Sequence, residues 1–393
     1  MQQTKALAAS LPSLGIELEA SLKTSKAILE LLNSDAFTQT LAGVIQDNQS
    51  TLLLEANDIR RRDDLLAWLT QIDPSSYYQA ALDKHLAGTG VWLLNDSHFQ
   101  EWRSGPGSIL WIHGISGSGK TKLISNLIST QINHFHQMIY YYFDFNDVKT
   151  LSITSLLCSC ISHLVRRLPY KEIPVDVTQL FSEQTSNREP WADQVPELVM
   201  ALESALSLYP SVLIAVDAID TTEWDIGSYT IELLAKLTAS GKVHVAVTGT
   251  PSNYMLGPLE ACASTKIAVD GLSHEKDIAY YIDQRLASSN LHKWPLTAKD
   301  SIRKGLMSSA GTLFRWVALS IDALEGCLTL PVLKRTLDNL PHDLFGMYRR
   351  TLTTIDADCV HLAKRALFWL MCSGFSLTVE ALAEIMSIGG DES

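Results

Sequence analysis

A glycine-rich segment between an apolar run and a helical pattern constrains the fold more than any other feature of this sequence. Residues 114–121 read GISGSGKT, which fits the phosphate-loop pattern G-x-x-x-x-G-K-[ST]. Because glycines weaken strands and helices, their clustering here indicates a backbone whose N–H groups turn toward an anion. The apolar run 108–114 precedes the loop and a helical pattern over 120–132 follows it. This strand–loop–helix order is the context that a phosphate loop requires.

The side chains of this loop are of the types that bind a polyphosphate and its magnesium ion. The ammonium of Lys120 is expected to contact the β- and γ-phosphates, and the hydroxyl of Thr121 is a hard oxygen ligand for Mg²⁺. The helix that follows points the positive end of its dipole at the same anion. We therefore expect nucleotide and Mg²⁺ as ligands. The predicted nucleotide-binding residues are Gly114, Ser116, Gly117, Ser118, Gly119, Lys120 and Thr121.

A carboxylate at the end of a second apolar run supplies another part of a magnesium site. Residues 212–217 read VLIAVD, and ligands of open α/β sheets bind at the carboxyl ends of the strands. Asp217 is therefore predicted to hold the metal ion, directly or through water. Asp220 has two interpretations: a catalytic residue that orients or activates a water, and a turn or helix-cap aspartate. Thr248, at the end of a later strand, is a candidate sensor of the γ-phosphate.

Four other polar residues near these runs are interpreted as structural. Asp144 and Asp147 follow an apolar run in the segment FDFND, where aspartates typically form turns. His134 and His136 are two residues apart, so on a helix they would face away from each other. We therefore expect no metal site at the two histidines.

Short apolar runs alternate with helical patterns through the middle of the chain. Near-continuous apolar strands indicate burial on both faces, and their alternation with helices predicts a parallel sheet with right-handed crossovers. We therefore predict a five-stranded α/β P-loop NTPase domain over 88–290, preceded by a helical region over 1–87 and followed by helices only. The predicted strands are 108–114, 138–145, 211–217, 242–249 and 265–270.

The composition argues against several classes of protein. The 393 residues are 46% hydrophobic and 19% charged, which is typical of a globular chain with more than one domain. A formal net charge of −12 argues against general nucleic-acid binding. The sequence has no apolar stretch long enough to span a membrane and no convincing signal peptide. Cys158 and Cys160 lie in an apolar helical stretch typical of core thiols, so we expect a reducing, cytoplasmic location.

Several segments together resemble a known family. The sequence resembles the NACHT-type signalling ATPases of the STAND class, and most closely the fungal NOD-like receptors, whose core is also described as a nephrocystin-3-like N-terminal domain. Of the matching segments, only the phosphate loop is specific by itself. The segments together, which extend over about 70–390, make the resemblance to this family specific. Besides the loop, it is carried by GTGVWLL (88–94), FQEW (99–102), YYFDFND (141–147), LIAVDAID (213–220), DIAYYIDQRL (277–286), GTLFRWVALSIDAL (311–324), LPHDLFGMYRRTL (340–352) and AKRALFWLMCSGFSLTVEALAEIM (363–386).

The resemblance implies a domain order and a role. It implies an ASCE-type, AAA-like sheet, a helical domain over 291–355 and the start of an incomplete winged-helix domain over 356–393. It also implies a switch that holds ADP, exchanges it for ATP and then associates with itself or with protein partners through the nucleotide domain. In fungi such proteins are linked to non-self recognition and regulated cell death. A sequence that ends inside the winged-helix region is what a shortened form without a repeat sensor would show.

Two departures from the family pattern concern hydrolysis. The acidic motif continues with Thr221 where the family has a further acid, and Thr250 stands in the place of an arginine that reads the γ-phosphate. A threonine cannot supply that charge, and the loss of one such arginine costs on the order of 10³ in rate. We therefore expect nucleotide binding with slow or absent turnover, so that the protein is a weak ATPase at most.

Two other functions are compatible with the sequence. The first is a non-catalytic scaffold, in which the nucleotide stabilises the fold and partners dock on the N-terminal helices. The second is a small-molecule P-loop kinase, which is less well supported because the sequence has no arginine-rich lid segment. The resemblance implies adenine as the base, and the absence of an N-K-x-D element, which reads guanine, agrees with it.

Overall fold

The structure, a computed structural model, divides into two compact units. The first comprises residues 1–64 with 169–172, and the second comprises residues 65–168 and 173–393. The predictions for residues 1–22 and 389–393 lie outside the described residues. The structure describes residues 23–26, 35–70, 72–187, 194–251, 256–288, 290–353, 355–373 and 377–388.

The described part of the N-terminal region is helical, as predicted. Helix α1 (Asp35–Leu69) begins in the first unit, and its last residues, from Leu65 onward, belong to the second. Helix α2 (Pro74–Asp83) follows after a loop, and the Asp73 side chain caps it by accepting a hydrogen bond from the backbone N–H of Ser75.

Five parallel strands form the centre of the second unit, which confirms the predicted α/β P-loop NTPase fold. Their order in the sheet is β2-β3-β4-β1-β5. Strand β1, which leads into the phosphate loop, therefore pairs with β4. Strand β4 lies between β1 and β3. All residues of β3 and β4 are buried, because helices cover both faces. The strands are β1 (Ile109–His113), β2 (Gln137–Tyr142), β3 (Val212–Asp217), β4 (Val243–Gly249) and β5 (Ala263–Ala268).

Two of the strands differ from their predicted bounds by two residues or more, and the other three agree to within one residue at each end. The prediction extended β2 to residue 145, but its pairing with β3 ends where Tyr142 lies opposite Asp217. Asp144 then accepts a hydrogen bond from the backbone N–H of Asn146, which forms a turn. The last strand begins two residues before its predicted start, because β5 pairs with β1 from Ala263 onward.

Helices cover the sheet on both sides. Helices α2, α3, α4 and α5 contribute to one apolar cluster with the sheet, whose members include Phe99, Trp102, Leu127 and Ile112. Helix α6 packs against β2 and α8, and α9 packs against β4 and β1. The helices of this region are α3 (Val91–Asn95), α4 (Ser97–Ser104), α5 (Lys120–Gln131), α6 (Ile153–Val165), α7 (Val175–Asn187), α8 (Val195–Ser207), α9 (Trp224–Thr238) and α10 (Leu256–Cys262).

The described segment after the sheet is helical, as the loss of strand patterns predicted, and many of its buried residues form one apolar cluster. Ile282, Ile302 and Trp316 are fully or almost fully buried in it, and the indole N–H of Trp316 donates to the carbonyl of Pro341 at 2.7 Å. Arg285 forms an ion pair with Glu325 at 2.6 Å. These helices are α11 (Gly271–Ser288), α12 (Leu296–Ala310), α13 (Phe314–Glu325), α14 (Leu330–Asp338) and α15 (Leu344–Thr353), and α16 (Val360–Cys372) and α17 (Val379–Ile388) follow.

The predicted domain boundaries stay predictions. The contacts between residues separate 1–64, with 169–172, from the remainder and draw no division at 87, 290 or 355. None of the described helices is long and apolar enough to cross a lipid bilayer.

Gly107 generates a prediction about the start of the sheet. An added Cβ there would lie 2.3 Å from the carbonyl oxygen of Val243, which belongs to the backbone of β4 and has little freedom to move. We expect Gly107→Ala to lower the free energy of unfolding by about 1–3 kcal/mol through overpacking, measured by urea denaturation. Gly257→Ala is the matched control, because nothing lies within 4 Å of its added Cβ. Equal midpoints for the two variants would contradict this packing argument.

Candidate functional site

The loop between β1 and α5 adopts a backbone shape that its glycines permit. Gly117 has φ +85° and Gly119 has φ +100°, in the left-handed region that side chains disfavour. Helix α5 begins directly after Gly119, which makes no side-chain cap hydrogen bond. The N–H of Lys122 donates to the carbonyl of Gly119 at 3.0 Å. The first two N–H groups of α5, those of Lys120 and Thr121, have no partner one turn back in the helix and can bind an anion.

Three further predicted residues of the loop, Gly114, Ser116 and Ser118, have different surroundings. The hydroxyl of Ser118 is buried and has no hydrogen-bond partner among the described residues. An unsatisfied buried hydroxyl costs free energy. Ser118 lines the smaller cavity beside the loop and not the one that contains Lys120 and Thr121. Gly114 is closely packed, because an added Cβ would lie 2.9 Å from the Ser118 Oγ. Ser116 is exposed and lines the cavity above the loop.

The ammonium of Lys120 folds back over the loop. Its Nζ donates to the carbonyl oxygens of Gly114 at 2.7 Å and Ile115 at 3.1 Å, and to the hydroxyl of Thr250 at 3.2 Å. Burial lowers the pKa of Lys120, while the nearby carboxylates of Asp220 and Asp217 act in the opposite direction. The three acceptors of the Lys120 ammonium are neutral. A negatively charged phosphate oxygen that replaced one of them would attract the ammonium more strongly.

Asp217 and Thr121 come together as the magnesium prediction requires. Asp217 ends β3 and is only 4% exposed, and burial raises the pKa of its carboxyl group. Hydrogen bonds from the hydroxyls of Thr248 and Thr121 counteract that shift by stabilising the carboxylate. A hydroxyl and a carboxylate that line one cavity beside a phosphate loop fit Mg²⁺, which prefers oxygen ligands. When bound, the ion would neutralise charge on the phosphates.

Thr248 lines the cavity at the end of β4, but its hydroxyl is engaged by protein groups. Its hydroxyl donates to Asp217 and accepts from the backbone N–H of Ala218 at 2.9 Å, and the residue is fully buried. Because both hydrogen bonds go to protein groups, Thr248 holds the end of β3 in position, and its hydroxyl has no proton left to donate to a γ-phosphate.

The turn after Asp217 places Asp220 at the cavity. Ala218 has φ +55°, the only positive φ of a non-glycine residue in the described chain, and strain of this kind is frequent at functional sites. A 3-10 turn over residues 219–221 follows. The Asp220 carboxylate lies against Gly249 and close enough to Lys120 to interact with it. Asp220 is thus both a turn residue and a cavity residue, and both interpretations from the sequence remain open.

The cavity above the loop contains residues that the sequence did not indicate. It has a volume of about 350 Å³, and side chains from before and after the sheet complete its wall. Arg315 belongs to a segment that the family resemblance identified without a role, and Lys84 lies upstream of every motif. The residues missed are Lys84, Lys122, Tyr281, Phe314, Arg315 and Ala318.

Two hydrogen bonds hold the later helices against the sheet domain next to this cavity. The backbone N–H of Arg315, in the first turn of α13, donates to the carbonyl of Gly117 at 3.0 Å. The carboxylate of Asp277, on α11, accepts from the N–H of Gly90 at 2.6 Å. Gly90 has φ +77°, which fits the glycine there. The phosphate loop and the segment before α3 are therefore both tied to helices that follow the sheet.

The residues interpreted as structural have structural partners. Asp147 accepts from the backbone N–H of Lys149 at 3.2 Å and from the hydroxyl of Tyr77 at 3.0 Å. His136 lies 2.8 Å from the Ser211 hydroxyl. The described residues contain no group of three histidine, cysteine or acidic side chains that could hold a metal ion.

Thr248 generates a prediction about this network. Thr248→Val keeps the shape of the side chain but removes its hydroxyl. The N–H of Ala218 and the buried carboxylate of Asp217 then each lose a hydrogen-bond partner. We expect a loss of about 1–3 kcal/mol in the free energy of unfolding, measured by urea denaturation. Thr248→Ser retains the hydroxyl and should keep most of the wild-type stability, apart from the loss of one methyl group. If the valine variant is as stable as the serine variant, the hydroxyl does not hold the end of β3.

Comparisons with known proteins agree with this geometry over the central segment. Residues 88–250 match the family model described as Nephrocystin 3, N-terminal. The match covers less than half of the chain and includes the phosphate loop, Asp217 and Thr250. No curated protein matches the sequence.

Solved structures with a related arrangement have low sequence identity. Cdc6p from Pyrobaculum aerophilum is 13% identical with a TM-score of 0.41, over 81% of this chain and 83% of that chain. AMPPCP-bound DnaA from Aquifex aeolicus is 12% identical with a TM-score of 0.38, over 78% and 91%. Drosophila ORC bound to DNA is 13% identical with a TM-score of 0.41, over 80% and 88%. These values carry no functional argument. The strand order and the loop identify a P-loop NTPase fold, whose central segment is similar to the nephrocystin 3 N-terminal family.

Proposed function

We propose that this chain is an ATP/ADP-binding switch of the STAND signalling type, with slow or impaired hydrolysis. By its resemblance to fungal NOD-like receptors, its role would be cytoplasmic signalling in non-self recognition or cell death, with self-association or protein partners through the nucleotide domain. The observation that carries the proposal is that Lys120, Thr121 and Asp217 line one cavity above the glycine loop. These groups supply a cation for the phosphates and two oxygen ligands for Mg²⁺.

The surroundings of Lys120 support slow turnover. Thr250 contacts the Lys120 ammonium as a neutral hydroxyl, at the position where the family has an arginine. Asp220 is the carboxylate at the cavity available to orient a water, since Asp217 is engaged by Thr248 and Thr121. Binding groups are therefore present, while the charge that stabilises the transition state at this position is missing.

The contacts between the loop and the later helices support a switch. The cavity is lined by the loop, by Tyr281 of α11 and by Phe314 of α13, so a ligand bound there would touch all three. A ligand shifts a conformational equilibrium only by its difference in affinity between the two states. The cavity is lined both by the phosphate loop and by the helices that follow the sheet. A change from diphosphate to triphosphate would therefore alter the free energy that holds the loop and these helices together.

A nucleotide-stabilised scaffold is the second candidate. A scaffold would bind the nucleotide with the same groups. Unlike a switch, it would require neither hydrolysis of ATP nor exchange of ADP for ATP. The exposed apolar side chains of α16, which include Phe368, Trp369 and Met371, favour it, because an interaction protein needs such surface.

Lys120→Ala tests nucleotide binding itself. Removal of the ammonium should weaken the affinity for Mg²⁺-ATP and Mg²⁺-ADP by about 10²-fold or more, since a charge-assisted contact in a half-buried site is lost. Isothermal titration calorimetry of the full chain measures the change. Lys149→Ala, at an exposed position outside the cavity, is the matched control and should bind as wild type does. Unchanged affinity in the Lys120 variant would refute the proposed site.

Asp220→Asn separates the switch from the scaffold. If Asp220 orients the attacking water, the isosteric variant should lower single-turnover hydrolysis by about 10-fold or more while the affinity for ATP is kept or increased. Asp225→Asn, an exposed change on α9, provides the control rate. Wild-type protein that binds ATP but hydrolyses it no faster than the same solution without protein would favour the scaffold.

A further inference from the structure

We propose that Lys84, at the end of α2, binds phosphate charge of the nucleotide together with Lys122 and Arg315. These three residues are called the cation clamp below. The proposal rests on the proposed nucleotide-binding function and adds a binding residue that lies before the segment 88–250 matched by the family model. It also makes α2 part of the nucleotide site.

The clamp residues come from three separate parts of the chain and meet at one cavity. Lys84 is the C-cap of α2, Lys122 is in the first turn of α5, and Arg315 is in the first turn of α13. All three line the cavity that contains Lys120 and Thr121. Lys84 and Lys122 also line the two cavities that adjoin it. Both Lys84 and Arg315 are close enough to Lys122 to interact with it electrostatically.

The clamp residues have no counter-ion in the described part of the chain. No carboxylate lies within 4 Å of their charged nitrogens among the ion pairs of the described residues. The carboxylates of the cavity, Asp217 and Asp220, act on Lys120 instead. Like charges that converge without a counter-ion repel one another, and an anion between them reverses that cost.

The charge balance of the cavity identifies the class of ligand. Lys84, Lys120, Lys122 and Arg315 face it as cations, and Asp217 and Asp220 face it as carboxylates, so the positive charges exceed the negative ones by two. A nucleotide with Mg²⁺ bound still carries net negative charge, and the triphosphate carries one more than the diphosphate. The clamp should therefore favour Mg²⁺-ATP over Mg²⁺-ADP.

Because Lys84 lies at the end of α2, binding of phosphate to its ammonium would also affect the position of that helix. Helix α2 packs against α5 and β2, with Ala81 buried, while Lys84 itself is exposed and lines the cavity. A phosphate that attracts Lys84 therefore stabilises the end of α2 against the loop. The phosphate charge that attracts Lys84 is present both in the bound nucleotide and in the transition state of hydrolysis. Lys84 should therefore stabilise both equally, which changes the affinity for the nucleotide and leaves the turnover rate of the bound nucleotide unaltered.

The test compares Lys84→Met, which keeps the aliphatic stem, with Lys84→Arg, which keeps the charge. Calorimetric titration of the full chain with Mg²⁺-ATP should show an affinity about 3- to 10-fold weaker for the methionine variant and close to wild type for the arginine variant. The loss should be smaller for Mg²⁺-ADP, and it should shrink from about 0.05 M to 0.3 M salt, because salt screens exposed charges. Lys334→Met, at an exposed position on α14 outside the cavity, is the control.

The outcomes separate the clamp from the proposed function. Equal affinities of Lys84→Met and wild type, with Lys120→Ala still defective, would overturn the clamp and leave the nucleotide site intact. A loss shared by Lys84→Met and Lys84→Arg would also overturn it, because packing of α2 and not charge would then be responsible. Absence of nucleotide binding in the wild-type chain would instead overturn the proposed function.

Discussion

The fold-back of Lys120 onto its own loop is the interaction on which the rest of the site depends. The ammonium is held by the carbonyls of Gly114 and Ile115 and by the hydroxyl of Thr250, so it is positioned without a carboxylate partner. A lysine already paired with an acid would have to break that pair to bind phosphate. The left-handed glycines make this arrangement accessible, since their backbone turns the loop around the ammonium.

The strand order explains how a single threonine supports the predicted metal site. Because β4 lies between β1 and β3, Thr248 lies opposite Ile112 on one side and reaches Asp217 on the other. Its hydroxyl fixes both the carboxylate and the strained residue Ala218. The buried carboxylate is thereby kept in a hydrogen-bonded geometry that faces Thr121, and the cost of burying it is reduced.

Nucleotide binding in this architecture involves more than the sheet domain. Arg315 contributes its backbone N–H to the loop and its side chain to the cavity, and Lys84 reaches the same cavity from a helix before the matched segment. The cavity is therefore lined by residues from before and after the sheet. In the proposed function, the neutral residue Thr250 and the cations elsewhere in the wall would have different effects. The clamp would act on binding, and the lack of an arginine at Thr250 would act on hydrolysis.

The sequence by itself determined the phosphate loop, the acid at the end of β3 and the parallel α/β sheet. Each of these is a local pattern: glycines at fixed spacing, an apolar run that ends in Asp217, and strands that alternate with helices. Only the tertiary structure decided the role of Thr248 and the presence of Lys84 and Arg315 at the cavity. A lone threonine, lysine or arginine has no signature in the sequence, because what it does depends on the residues that folding brings beside it from distant parts of the chain.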